Sequence, residues 1–132
     1  MVNVGEICEI YKCGICGNIV EVIKVGGGEL VCCGAPMDLL EAKTEGEGSP
    51  KHVPVITDNG DEIIVELGEI PHPMEDEHYI QFIELSIGDS KFKQFLNPGD
   101  EPKAVFKIDS REDDAKVLAR AYCNIHGLWA SN

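Results

Sequence analysis

Short runs of alternating apolar and polar residues, separated by turn-forming clusters, fill the sequence from position 52 onward. An alternation with a period of two predicts β-strands that bury one face. The clusters Asp58-Asn59-Gly60-Asp61 and Asn97-Pro98-Gly99-Asp100 predict tight turns between such strands. We therefore predict an antiparallel β-sandwich. Its strands are predicted at residues 52–57, 62–67, 78–87, 91–96, 103–108 and 117–123.

The segment 113–122 carries a competing signal. It contains several good helix formers and begins with the acidic residues Asp113 and Asp114, which favour the start of a helix. A lone helix fits poorly into the surrounding pattern of strands. We therefore predict that the segment forms a strand.

The first part of the chain has a shorter and more compact pattern. Two β-rich runs at residues 19–25 and 29–33 flank the triplet Gly26-Gly27-Gly28, which predicts a hairpin. So small a unit cannot bury enough apolar surface by itself and needs a metal to fold. Residues 41–50 are small and polar, without apolar periodicity. We therefore predict a metal-bound hairpin domain at 1–39, a linker at 40–50 and a β-sandwich domain at 51–132.

Composition and charge narrow the functional classes. Of the 132 residues 43% are apolar, which is enough for a packed core. The net charge of −13 argues against nucleic acid or an anionic membrane as a partner. The first residues show neither a basic segment nor an apolar one, and no apolar run reaches the length of a bilayer, so we expect a cytoplasmic protein. In that reducing compartment the six cysteines are thiols or metal ligands, and Cys8, outside ligand spacing, is interpreted as a structural thiol.

Two cysteine pairs, Cys13-x-x-Cys16 and Cys32-Cys33, lie at the two ends of the predicted hairpin. Four thiolates from two such pairs are typical of a tetrahedral site for iron or zinc, and the spacing does not choose between these metals. Adjacent residues on a strand point to opposite faces, so Cys32 and Cys33 share one ion only if the backbone bends. Gly34 permits that bend. Buried inert thiols or a disulfide between adjacent cysteines explain the two pairs less well.

All four histidines lie in the predicted second domain, together with one cysteine. Cys123 and His126 are three residues apart after a predicted strand, a spacing typical of metal chelation. The other histidines are His52, His72 and His78. Four imidazoles and one thiolate make five donors, which leaves a sixth octahedral position open and favours iron(II) over zinc or copper. A thiolate ligand donates electron density toward that position and favours reductive chemistry on a small oxygen species.

Motifs along nearly the whole chain together resemble desulfoferrodoxin, the two-iron superoxide reductase family. They are Tyr11-Lys12-Cys13, Cys16-Gly17-Asn18-Ile19-Val20-Glu21-Val22, Cys32-Cys33-Gly34, Lys51-His52-Val53-Pro54, Pro71-His72-Pro73-Met74, His78, and Cys123-Asn124 followed by His126-Gly127 and Trp129. The resemblance implies a desulforedoxin-like Fe(Cys)4 domain, an immunoglobulin-like β-sandwich with an Fe(His)4(Cys) centre, and a homodimer. It also implies reduction of superoxide to hydrogen peroxide, with electrons from rubredoxin or a similar carrier. Carried over to this chain, the resemblance implies that the equatorial iron ligands are His52, His72, His78 and His126 and that the axial ligand is Cys123.

Lys51 matches the lysine that the family places beside the open iron position. A cation there attracts the superoxide anion and orders a water that protonates the bound product. The chain departs from many relatives at Pro50, where they have a glutamate that caps the ferric iron. Glu47 is nearby, but three residues separate it from Lys51, and we do not assign it that role. We therefore expect water or hydroxide at the sixth ferric position.

Two other functions compete with this one. A non-enzymatic electron-transfer or zinc-stabilised binding protein would explain the cysteine pairs, but it leaves the five-donor set unexplained. A superoxide dismutase would use similar chemistry but would evolve oxygen and consume no electrons from a donor.

Overall fold

The structure, a computed structural model, describes residues 3–131, and the chain divides into two compact units, Met1–Glu41 and Ala42–Asn132. The described residues are mainly β, as predicted, with one short helical turn. The elements of the first unit are β1 (Ile10–Lys12), β2 (Ile19–Glu21), β3 (Val31–Cys32), β4 (Ala35–Pro36) and β5 (Asp38–Leu40). Those of the second are α1 (Ser49–His52), β6 (Pro54–Asp58), β7 (Glu62–Leu67), β8 (Ile80–Ile87), β9 (Ser90–Phe95), β10 (Lys103–Lys107), β11 (Val117–Cys123) and β12 (Gly127–Ala130). Within residues 3–131, no helix has the length and apolar character needed to cross a membrane.

The first unit pairs its strands differently from the predicted hairpin. β1 lies between β2 and β5, so that Tyr11 is opposite both Val20 and Leu39. β3 instead pairs with β4 directly after it. The reason is the backbone at Cys33 and Gly34, whose φ angles of 55° and 75° reverse the chain immediately after β3. The predicted pairing of 19–25 with 29–33 is therefore wrong, although the Cys32-Cys33-Gly34 bend is confirmed.

The second unit is a sandwich of two antiparallel sheets. One sheet has the strand order β10-β7-β6 and the other β12-β11-β8-β9. Alternate residues of β7, including Ile63, Val65 and Leu67, point into a core that also contains Leu85 from β8 and Ala121 from β11. Burial of one face of each sheet is what the alternating sequence pattern predicts.

Most predicted strands of this sandwich are confirmed. β7 and β11 have the predicted bounds, β8 begins two residues later than predicted, β9 is shifted by one residue, and β10 ends one residue earlier. The segment with mixed signals forms β11 from Val117, because it pairs with β8 on one side and β12 on the other. Two ladders of hydrogen bonds thus outweigh its helical propensity. β12 was not predicted.

The predicted strand 52–57 is wrong at its start, because His52 belongs to α1 and the strand begins at Pro54. Gly48 precedes the turn with a φ of 88°, and Pro50 fixes the backbone in its first residues. The amide of Val53 donates to the carbonyl of Ser49 at 3.0 Å and closes the turn. This turn, rather than a strand, therefore carries Lys51 and His52.

The stretch predicted as a linker contains the division between the two units and also a paired residue. The amide of Lys43 donates to the carbonyl of Leu128 at 3.0 Å, and the amide of Ala130 donates to the carbonyl of Lys43 at 2.9 Å. Lys43 thereby forms an isolated parallel bridge with Trp129. The second unit thus includes residues well before position 51.

Candidate metal centres

Four cysteine sulfurs converge in the first unit. The ligand atoms of Cys13, Cys16, Cys32 and Cys33 all lie within 4.8 Å of one another. The Sγ atoms of Cys16 and Cys32 are 3.6 Å apart, and those of Cys32 and Cys33 are 3.9 Å apart. These separations exceed a disulfide bond, and all six cysteines are thiols. The positive φ at Cys33 turns adjacent side chains toward the same point, which a regular strand does not do.

Backbone amides point at two of these sulfurs. Cys13 Sγ accepts from the amides of Ile15 and Cys16, each at 3.4 Å, and Cys16 Sγ accepts from the amide of Asn18 at 3.5 Å. The two amide donors stabilise the thiolate and lower the pKa of Cys13 to about 6. Contacts with the sulfur of Cys16, then with that of Cys13, raise the pKa of Cys32 to about 12. Thiols crowded in this way repel each other as thiolates, and a metal cation removes that repulsion.

Five further donors converge in the second unit. The ligand atoms of His52, His72, His78, Cys123 and His126 lie within 4.8 Å of one another. The four imidazoles form a closed ring, in which consecutive centroids are 4.5, 4.8, 5.0 and 4.7 Å apart and interplanar angles are 64° to 82°. Rings set edge to face around one point can aim a nitrogen from each toward the centre of that ring.

Different elements bring these donors together. His52 ends α1, and His72 and His78 lie in the loop between β7 and β8. Cys123 ends β11, and His126 lies in the turn before β12, where its amide donates to Cys123 Sγ at 3.4 Å. Residues far apart in the sequence thus reach one point because the ends of two sheets and their connecting loops meet there.

Hydrogen bonds fix the orientation of two of the rings. His52 Nδ1 lies 2.8 Å from the carbonyl of Gly48, and His72 Nδ1 lies 2.7 Å from the carbonyl of Pro73. A carbonyl only accepts, so each Nδ1 donates and each Nε2 carries a lone pair. Burial lowers the pKa of both rings, that of His72 to about 4, which keeps them neutral as metal ligands must be.

The resulting donor set fits a cation. The Nε2 atoms of His52 and His72 are 2.9 Å apart, and with their lone pairs facing each other they repel unless a cation lies against both. His78 Nε2 is buried and makes no hydrogen bond, so it is an unsatisfied polar atom as long as no cation binds it. Cys123 is fully buried beside them. Five imidazole and thiolate donors suit iron, whereas a closed zinc site usually has four ligands.

A cleft of about 560 Å³ borders this donor cluster. Its lining includes His52, His78 and His126, together with Lys51 and Glu47. Lys51 is exposed on α1, next to the buried His52. Pro50 also lines the cleft. The cluster is therefore reached from solvent at the side where the sequence analysis placed a cation.

The structure brings together all nine predicted ligands in two groups and places Lys51 at the cleft. Cys8 belongs to neither group. The sequence analysis missed Gly68, whose φ is 79°. A Cβ atom at this position would clash with backbone atoms of Pro50 and Lys51. It also missed Lys43, whose ammonium donates to the carbonyl of His126 at 3.1 Å. An isolated glycine and an isolated lysine carry no spacing signal that could have identified them.

Comparisons with known proteins agree with a two-centre, non-haem metalloprotein. The family model described as "Desulfoferrodoxin" matches residues 44–132, and that described as "Desulfoferrodoxin, N-terminal domain" matches residues 5–40. A desulfoferrodoxin homologue of Archaeoglobus fulgidus is 53% identical over 126 residues, covering 96% of this chain and 98% of the relative. A desulfoferrodoxin of Syntrophotalea carbinolica is 50% identical over 126 residues, covering 96% and 97%. The chain belongs to the desulfoferrodoxin family.

Solved structures give the same result for the fold. The superoxide reductase from Treponema pallidum aligns with a TM-score of 0.72 at 23% identity and covers 94% of this chain and 96% of that one. At this identity the similarity concerns the fold alone. The superoxide reductase (1Fe-SOR) from Giardia intestinalis aligns with a TM-score of 0.55 at 34% identity, covering 61% of this chain and 94% of that one. The predicted fold class is confirmed, and the family and both donor sets support the predicted cofactor, iron at two centres.

Proposed function

We propose that this protein is a superoxide reductase, which converts superoxide, one electron and two protons into hydrogen peroxide. The observation that carries the proposal is the convergence of four imidazoles and Cys123 beside a solvent-accessible cleft. The name of the Giardia intestinalis structure, a superoxide reductase 34% identical to this chain, supports it. Iron held by His52, His72, His78, His126 and Cys123 would supply the electron when bound in its ferrous form.

The chain's own residues would give the substrate access and the protons a route. The net charge of −13 repels an anion at long range, so superoxide needs a local positive potential. Lys51 supplies a cation at the cleft, where its ammonium can attract superoxide and hold a water molecule that donates a proton. His52 and His72 are buried and neutral, so they serve as ligands and not as proton donors.

The electron source and assembly are part of the proposal. We propose a rubredoxin-like carrier as the donor, iron bound by the four cysteines of the first unit, and a homodimer in the cytoplasm. Several apolar side chains of the first unit are exposed, which supports contact with a second copy. They include Ile7 at 61%, Ile15 at 67%, Val31 at 58% and Ile23 at 88%.

Stopped-flow reaction of the reduced protein with superoxide, followed by metal analysis of the same sample, tests this function. We expect rapid oxidation of the protein, formation of hydrogen peroxide and iron in both units. Evolution of oxygen without consumption of donor electrons would indicate a dismutase. Zinc in both units and no reaction would instead indicate a zinc-stabilised binding protein.

Replacement of Lys51 by alanine is expected to slow the reaction with superoxide, on the order of tenfold at low salt, because the local attraction for the anion is lost. The difference should shrink as salt increases, since screening weakens the lysine's field in the parent protein. Second-order rate constants measured by stopped flow over a range of ionic strength check this. Lys107→Ala is the matched control, because Lys107 is an exposed lysine of the second unit on β10. Equal rates for Lys51→Ala and the parent would remove Lys51 from the mechanism.

A further inference from the structure

Lys43 contacts the segment that carries His126 from outside the imidazole ring, at the carbonyl of His126 and at the ring of Trp129. We propose that it is a positioning residue for the five-donor centre, which holds the His126 turn and Trp129 in place and keeps a positive charge beside them. The inference rests on the proposed binding of iron by these donors. It assigns a function to a residue that lies outside the donor set itself.

The backbone of Lys43 is anchored on both sides of Trp129. Its amide donates to the carbonyl of Leu128, and its carbonyl accepts from the amide of Ala130. An exposed lysine normally loses much conformational freedom when its side chain is fixed. Here the anchored backbone places the start of the side chain next to β12, so less freedom remains to be lost.

The ammonium of Lys43 shares its acceptor with Trp129. Lys43 Nζ and Trp129 Nε1 each donate to the carbonyl of His126 at 3.1 Å. Lys43 Nζ also lies 5.2 Å from the centroid of the Trp129 ring, within the range of a cation–π contact. One carbonyl with two donors fixes the peptide that follows His126, where Gly127 has a φ of 87°.

Trp129 transmits this restraint to a second ligand. Its ring stacks on that of His52 with a centroid distance of 4.9 Å and an interplanar angle of 22°. His126 is exposed, so burial contributes little to its orientation, unlike that of His52. The contacts of Lys43 therefore contribute more to the orientation of His126 than to that of His52, which is already packed in the core.

The charge of Lys43 gives a second, separable effect. A nearby cation disfavours the ferric state more than the ferrous state, because the ferric ion carries one more positive charge. Lys43 should thus raise the reduction potential of the centre. A residue that only stabilised the fold would leave that potential unchanged.

Lys43→Met tests the proposal, because methionine keeps an unbranched apolar stem but has no charge and no N–H donor. We expect a lower midpoint potential in a redox titration of the His-Cys centre. We also expect loss of Co(II) from the cobalt-substituted centre to a chelator to be faster by about 1.4-fold to fivefold, the range for one exposed charged contact. Lys43→Arg should restore the potential and slow the loss, since it keeps charge and donors. Lys107→Met is the control for charge removed elsewhere in the unit.

The outcomes separate this inference from the proposed function. If Lys43→Met matches the parent protein in both midpoint potential and cobalt loss, or if Lys43→Arg behaves like Lys43→Met, the role of Lys43 is overturned while the reductase is untouched. If the parent protein binds neither cobalt nor iron through the histidines, both proposals fail. Circular dichroism of each variant verifies that it is folded.

Discussion

Gly68→Ala is expected to displace the turn that carries Lys51 and His52 and to lower the iron content of the five-donor centre. A Cβ atom at position 68 would lie 2.3 Å from the carbonyl oxygen of Pro50 and 2.6 Å from backbone atoms of Lys51. These are backbone atoms and cannot rotate away as a flexible side chain would. Position 68 also has a φ of 79°, which an alanine adopts only with strain.

Overpacking and backbone strain together should destabilise the protein by about 2–4 kcal/mol. Thermal unfolding and iron analysis of Gly68→Ala measure both effects. Gly60→Ala is a close control, because Gly60 has a φ of 90° but no atom within 4 Å of its would-be Cβ. We expect the control to show only the cost of the backbone, about 1–2 kcal/mol, with normal iron content. Equal losses in the two variants would show that α1 is not held against Gly68.

Cys123→Ser is expected to abolish the thiolate-to-ferric absorption of the second unit and to slow the reaction with superoxide on the order of a hundredfold or more. A serine hydroxyl has nearly the same size but stays protonated near neutral pH, so it is a poor ligand and a poor electron donor to a metal. Cys123 is fully buried, which leaves water little opportunity to replace the lost sulfur in place.

The visible spectrum of the oxidised protein and stopped-flow rates measure these two effects of Cys123→Ser. Cys8→Ser is the matched control, since Cys8 belongs to neither donor group. Cys16→Ser provides the converse test and should alter only the absorption of the four-cysteine site. Retention of the thiolate absorption in Cys123→Ser would show that another sulfur, or none, ligates the second centre.

The sandwich was predictable because each strand buries one face. The alternation in residues 62–67 corresponds to the buried Ile63, Val65 and Leu67, and the turns at 58–61 and 97–100 carry the residues that turns require. The first unit was harder to predict. Its strands have only two or three residues, so their pairing depends on the reversal at Cys33 and Gly34 and not on a long apolar pattern.

The nine candidate donors were recognisable because the cysteines and His126 lie at chelating spacings and all nine match motifs of a known family. Their supporting residues were not. Gly68 contacts the Pro50–Lys51 backbone, and Lys43 contacts His126, across long stretches of sequence. Such contacts depend on how the sheets align, and a single sequence contains no periodic signal of that alignment. The strand predicted at His52 failed for a similar local reason, since Gly48 and Pro50 start a helical turn.

The two donor groups differ in how much of the chain must fold before their side chains come together. The cysteines lie between positions 13 and 33 within one short unit, so only local loops need to close to gather them. The histidines and Cys123 extend from position 52 to 126, and they meet only after strands from both sheets have paired. During synthesis the cysteine site can therefore capture its ion while most of the sandwich is still unmade, and the histidine site must be filled last.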